Sequence, residues 1–168
     1  MRDNMDAHDG NNGLNRNENG ILRTYVKLRN EALAHIGSEY RTIRAFAFLL
    51  IIADTGLSPD EVRKLEIENI DHADSIGLVS CRTRGINDDS CISVNLQKAS
   101  SDVLDAYMES RRALLDEYSF DSPYLFPSRI TINEMMPPEA IEGIADTVSE
   151  ICGENIDIEL LRETFGPQ

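Results

Sequence analysis

Lysine is nearly missing from this sequence. Only Lys27, Lys64 and Lys98 occur, and arginine supplies the rest of the 16 basic residues. They face 30 acids, for a formal net charge of −14. That balance argues against non-specific binding to nucleic acid or to an anionic membrane, which needs a cationic surface. Abundant acid with little lysine resembles the proteins of salt-accumulating archaea; an ordinary acidic protein is the alternative. At about 1 M salt the Debye length is only about 3 Å, so local contacts would then decide what binds.

Cysteine is scarce too. Cys81, Cys91 and Cys152 include no C-x-x-C pair and are too few for a disulfide framework. Cys81 and Cys91 could face each other across a hairpin, although burial as small hydrophobes is the simpler expectation. His8, His35 and His72 lack metal-ligand spacing, so neither a metal nor another cofactor is expected. The N-terminus has no apolar signal-peptide core. The longest apolar run, Ala45 to Ala53, falls far short of the roughly 20 residues of a membrane span. These absences point to a protein of the reducing cytoplasm that makes no membrane contact. What is present, 168 residues at 41% hydrophobic, suffices for one domain with a real core.

Residues 1–20 are rich in Asn, Asp and Gly and read as a disordered tail, leaving 21–168 as the domain. From Ile21, the positions Leu22, Tyr25, Val26, Leu28 and Leu33 predict an amphipathic helix ending near Gly37. Ser38 is the expected N-cap of a second helix reaching Asp54, whose apolar centre predicts burial on every side. Thr55-Gly56 ends it. Ser58-Pro59-Asp60-Glu61 then offers an N-cap, a proline at the first helical position and a capping-box glutamate.

Three strand-like stretches follow: Ile67 to Ile70, Ile76 to Arg82, and Cys91 to Leu96. Gly85 to Asp89 supplies hairpin turn residues, the plainest role for Asp88-Asp89. A helix is expected from Ala99 to Tyr118, and Pro123 to Ser128 as a linker carrying the apolar knot Tyr124-Leu125-Phe126. Further helices are expected over 138–151 and from Asp157 to Gly166-Pro167. The order predicts an α+β fold, mainly helical, with a small three-stranded antiparallel sheet.

Four stretches carry a resemblance. Thr55-Gly56-Leu57-Ser58-Pro59-Asp60-Glu61-Val62-Arg63-Lys64-Leu65, with Asn69-Ile70-Asp71, matches T-G-L-R-x-x-E-L-x-x-L followed by D-I-D. The hairpin from Ile76 to Leu96 falls where the pattern carries a lysine at a β-turn. Leu125-Phe126-Pro127-Ser128 matches an L-F-P-S junction. Glu159-Leu160-Leu161-Arg162-Glu163-Thr164-Phe165-Gly166 matches H-x-L-R-H-T-F-A. In this order, they resemble the catalytic domain of tyrosine recombinases, the phage integrase and Xer group, over residues 40–166. Single motifs of this length match by chance; four in order do so far less often.

The resemblance implies chemistry on a DNA phosphodiester. In that family a tyrosine attacks phosphorus, two arginines clamp the non-bridging oxygens, a hairpin lysine protonates the leaving oxygen, and histidines assist. Here the first clamp position is Ser58. The two histidine positions are Glu159 and Glu163, which put negative charge where phosphate would sit. Arg162 alone keeps its identity. Arg82 or Arg84 stands in for the lysine; arginine is a good phosphate contact but a poor general acid. The nucleophile would follow Arg162, and the chain ends at Gln168, so a truncated, catalytically inactive protein is expected.

Local roles compete at each position. Ser58 and Glu61 suffice as a helix cap, and Arg162 could pair with Glu159 or Glu163 along its own helix. Arg82 and Arg84 could be solvated hairpin charges, and Leu125-Phe126 a core anchor. The expected function is therefore a recombinase-like DNA-binding or accessory factor. Its expected partners are DNA, a full-length recombinase or another copy of itself. The alternatives are a module that binds an intact recombinase, or a decayed integrase fragment. Charge distribution gives DNA limited support. Residues 21–54 hold Arg23, Lys27, Arg29, Arg41 and Arg44 against Glu31, Glu39 and Asp54, while the rest of the chain is net negative.

Overall fold

The computed structural model describes residues 16–72, 79–84, 91–131 and 134–164. The fold is mostly helical, built around α2 (Tyr40–Thr55). Every residue of α2 from Thr42 to Thr55 is buried. The reason is in the sequence: Ala-Phe-Ala-Phe-Leu-Leu-Ile-Ile-Ala leaves no polar face for water. Around it pack α1 (Arg16–Ala34), α3 (Pro59–Arg63), α4 (Lys98–Glu117), α5 (Ala140–Cys152) and α6 (Ile158–Arg162). Gly56 closes α2 in the left-handed region at φ 73°, its N–H donating to Ile52 O at 2.9 Å. Among the described residues no helix is long and apolar enough to cross a membrane.

Several boundaries differ from expectation. Helix α1 begins at Arg16, so residues 16–20, expected in the tail, are helical, with Glu18 in the first turn where the helix dipole favours an acid. Residues 1–15 lie outside the described residues. Ser38 does not cap α2. The N-cap is Glu39, without a side-chain hydrogen bond, and the buried Ser38 Oγ has no partner. The turn after α1, closed by Ser38 N–H to His35 O at 3.0 Å, delays the helix start by one residue.

Ile67 to Asn69, expected as strand, forms a 3-10 turn. Asn69 Oδ1 accepts from Glu66 N–H at 2.8 Å and folds the backbone back on itself. Strand β1 (Ile70–His72) follows and pairs antiparallel with β2 (Val79–Arg84), which pairs antiparallel with β3 (Cys91–Asn95). The register sets Cys81 opposite Val94 and Arg84 opposite Cys91, so Cys81 and Cys91 are not cross-strand partners. The loop from Gly85 to Asp89, and Gly166-Pro167, lie outside the described residues.

Pro123 to Ser128, expected as a linker, is instead a pinned central segment. Ile67 N–H donates to Pro123 O and Leu125 N–H to Leu65 O, at 2.8 and 2.9 Å. On the other side Met136 N–H donates to Phe126 O and Ser128 N–H to Glu134 O, at 2.9 and 2.7 Å. Leu125 and Phe126 are fully buried. Phe126 stacks on Tyr107 at 5.0 Å and meets Phe48 edge-on at 5.1 Å. Arg111, only 6% exposed, latches the segment by donating to Ser122 O and twice to Tyr124 O.

One buried carboxylate joins three helices. Asp54, 3% exposed, accepts from Tyr25 of α1 at 3.1 Å and from Gln97 N–H at the start of α4 at 2.9 Å. Burial pushes its pKa up against those hydrogen bonds, and pushes Tyr25 up to about 12. The folded state thus holds the Asp54 proton to higher pH than the unfolded chain. Stability present with the proton bound is lost as pH rises from about 3.9 through the raised folded value. Asp54→Asn cannot ionise and lacks this loss, whereas the other carboxylates titrate alike in both proteins. Urea unfolding across pH should therefore show the balance shifting toward Asp54→Asn through that window and staying flat above it.

Candidate functional site

The first and last recombinase-like stretches meet at one corner. The segment Gly56-Leu57-Ser58 leaves the buried end of α2 and enters α3. Helix α6 lies against α2, anchored by the buried Leu161 and capped by Asp157, whose Oδ1 accepts from Glu159 N–H and Leu160 N–H at 3.0 and 3.3 Å. Arg162, the last residue of α6, reaches across and donates from Nε to Gly56 O at 3.2 Å. Segments 106 residues apart in sequence are thereby joined beside Ser58.

Ser58, Glu61, Glu159 and Arg162 each have a local partner. Ser58 Oγ accepts from Glu61 N–H at 3.2 Å, and Ser58 N–H donates to Glu61 Oε1 at 3.4 Å, a complete capping box. Arg63 ties α3 down through Asp60 at 2.8 Å and Met136 O at 3.3 Å. Asp60 is held below the usual carboxylate range by hydrogen bonds from Lys64 and Arg63. Arg162, 33% exposed in its side chain, pairs with Glu159 at 3.1 Å, the i,i+3 partner. Glu159 is 73% exposed and Glu163 is also exposed, so both acids stand at the surface flanking Arg162.

Chemically, the Arg162 guanidinium beside Ser58 is already engaged by a carbonyl and a carboxylate. A two-arginine clamp needs a second guanidinium, which Ser58 does not provide. Arg82 and Arg84 lie on β2 opposite Ser93 and Cys91. Asp88-Asp89 lie outside the described residues. Among the described residues no group of three His, Cys, Asp or Glu side chains could hold a metal ion.

Sequence patterning missed two buried arginines. Arg111 falls on the same α4 face as Leu104, Tyr107 and Leu115, and that helical spacing marks it as inward-facing. Arg44 is 8% exposed, and its position inside the all-buried α2 was the available signal. Burial lowers its pKa.

No protein-family profile and no curated protein matches the chain. Solved structures do. The crystal structure of XerA recombinase superposes with a TM-score of 0.59 at 21% identity, over 82% of this chain and 46% of that one. XerH site-specific recombinase bound to its difH substrate before cleavage gives 0.60 at 16% identity, over 82% and 39%. Its post-cleavage complex on palindromic difH gives 0.57 at 18% identity, over 82% and 38%. The likeness is one of fold, and this chain spans less than half the length of each of those proteins.

The capping role of Ser58 has a measurable cost. Ser58→Ala should destabilise the protein by about 1 kcal/mol, the usual value of an N-cap hydroxyl, read from the shift in urea midpoint at unchanged slope. Ser58→Asp, which can still cap, should recover most of it.

Proposed function

We propose that this chain is a recombination-related protein of the tyrosine-recombinase fold that binds DNA or an intact recombinase and does not itself cut DNA. The observation that carries the reading is the pairing of Arg162 with Glu159 beside Ser58. Where the fold would hold a scissile phosphate between two guanidiniums, this chain has one guanidinium, one hydroxyl and two acids. Losing one preorganised transition-state donor typically costs about 3 to 4 kcal/mol, or roughly 10² to 10³ in rate. Replacing a clamp arginine and two histidines together removes the means of stabilising a pentavalent phosphorane, even though such losses do not add.

DNA binding is the first form of the proposal. It draws on the superposition with XerH, which was solved on difH DNA. The exposed Glu159 and Glu163 favour a second form, in which this corner faces a protein. An acidic rim repels a phosphate backbone and suits a basic protein surface. In that form the chain occupies the protomer interface of an intact recombinase and regulates it.

The two forms separate in one set of experiments. Fluorescence anisotropy with a duplex carrying inverted repeats of a recombination site, over a KCl series, should show saturable binding that weakens as salt rises. A nicked suicide duplex should yield no covalent adduct; a phosphotyrosyl adduct would refute the inactive reading. Absence of duplex binding at every salt concentration would remove the DNA form. Co-purification with a full-length recombinase would then carry the second.

A further inference from the structure

The charge of this protein has one local exception. Residues 21–54 are net basic, and within them Tyr40 and Arg41 lie four and three residues before Arg44 in α2, the spacings at which helical side chains meet. Arg44 is 8% exposed, and its buried Nε has no hydrogen-bond partner. Its guanidinium lies over the Tyr40 ring, 5.9 Å from the centroid. Helical side chains lean toward the helix N-terminus, so the charge sits at the start of α2. That N-terminus has no side-chain cap to satisfy its first amides.

The segment after Phe126 carries Arg129, close enough to act electrostatically on Arg44. The Tyr40 and Tyr107 hydroxyls are 3.3 Å apart, and Tyr107 stacks on Phe126, three residues before Arg129. Both Arg129 and Arg41 repel the Arg44 charge. None of the three arginines forms an ion pair with a described residue.

This is an unfavourable arrangement as it stands. A guanidinium does not lose its proton in proteins, and burying part of it, here Nε, without a hydrogen bond or counter-charge is unfavourable. The acid-rich chain has 30 carboxylates and places none against Arg44 among the described residues. An anion from outside can supply the compensating charge. A tetrahedral oxyanion fits: it accepts from several guanidiniums at once and from uncapped helix amides.

We propose that Arg44, flanked by Arg41 and Arg129, is an oxyanion site for a phosphate group, separate from Arg162. The site stands independently of the recombination reading; only its last step, that the phosphate belongs to a DNA backbone, rests on that reading.

Thermal unfolding in potassium phosphate, against KCl at equal ionic strength, tests the site. Wild type should show a saturable rise in Tm with inorganic phosphate, as expected when a ligand binds only the folded state. Arg44→Gln should weaken the apparent affinity at least about tenfold, the value of a lost charged hydrogen bond. The exposed Arg129→Ala, which leaves the core intact, should weaken it less. No phosphate effect beyond KCl in wild type, or an undiminished phosphate response in Arg44→Gln, overturns the site.

A duplex arm identifies the source of the phosphate. Lower duplex affinity in Arg129→Ala, with a salt slope smaller by about one, supports a backbone phosphate. A duplex affinity unchanged by Arg129→Ala overturns the DNA step while the phosphate response stands. A wild type that responds to phosphate but binds no duplex shows that the DNA form of the function has failed and the site has not.

Discussion

The architecture turns on one helix that has no outside. Because α2 is buried from Thr42 to Thr55, each polar group within it must find a partner inside the protein or bear the desolvation cost. Most find one. Thr55 Oγ1 donates to Ile51 O at 2.6 Å and accepts from Leu57 N–H at 3.2 Å, so the hydroxyl that ends the helix also sets the path toward Ser58. Asp54 collects donors from α1 and from the start of α4. Those two residues fix the relative placement of α1, α4 and the α2–α3 junction, and the candidate corner inherits its geometry from them.

Arg44 is the member of that set whose partner is missing. A structural arginine in a core is expected to look like Arg111, whose donors are spent on three bonds to backbone carbonyls and which thereby pins a segment lacking regular structure. Both arginines are buried in the same fold, yet Arg111 makes three hydrogen bonds through Nε and Nη2 while Arg44 Nε makes none. Packing alone does not require a charge at position 44, since a hydrophobic side chain of similar volume fills such space without the desolvation penalty. The contrast assigns Arg111 to stability and leaves Arg44 as the residue whose charge needs another explanation.

Features set by local chemistry were legible in the sequence. The capping box at Ser58, the left-handed Gly56 and the buried centre of α2 each depend on a few adjacent residues, and each stands where the pattern put it. Features decided by distant contacts were not. Ser38 had the right chemistry for a cap, but the turn closing α1 left it one residue too early. Pro123 to Ser128 read as a linker because its two isolated bridges are too short to produce a period-two pattern. The pairing of Arg162 with Glu159 was open to sequence reasoning as a helical i,i+3 pair. Its bond to Gly56 was not, because nothing local announces a contact across 106 residues.

A net charge of −14 describes long-range repulsion, and screening weakens that term as salt rises. Short-range contacts survive screening better, and here they divide by place. At the α6 corner Glu159 and Glu163 are exposed and Glu159 pairs with Arg162, so that surface carries negative charge. At the start of α2 the arginines form no ion pair with a described residue, the N-cap Glu39 included, and Arg44 lies over the Tyr40 ring. The acidity is therefore not a uniform coat that keeps phosphate away. It repels phosphate beside Arg162, where Glu159 and Glu163 stand at the surface, and leaves the proposed opening for it at the start of α2.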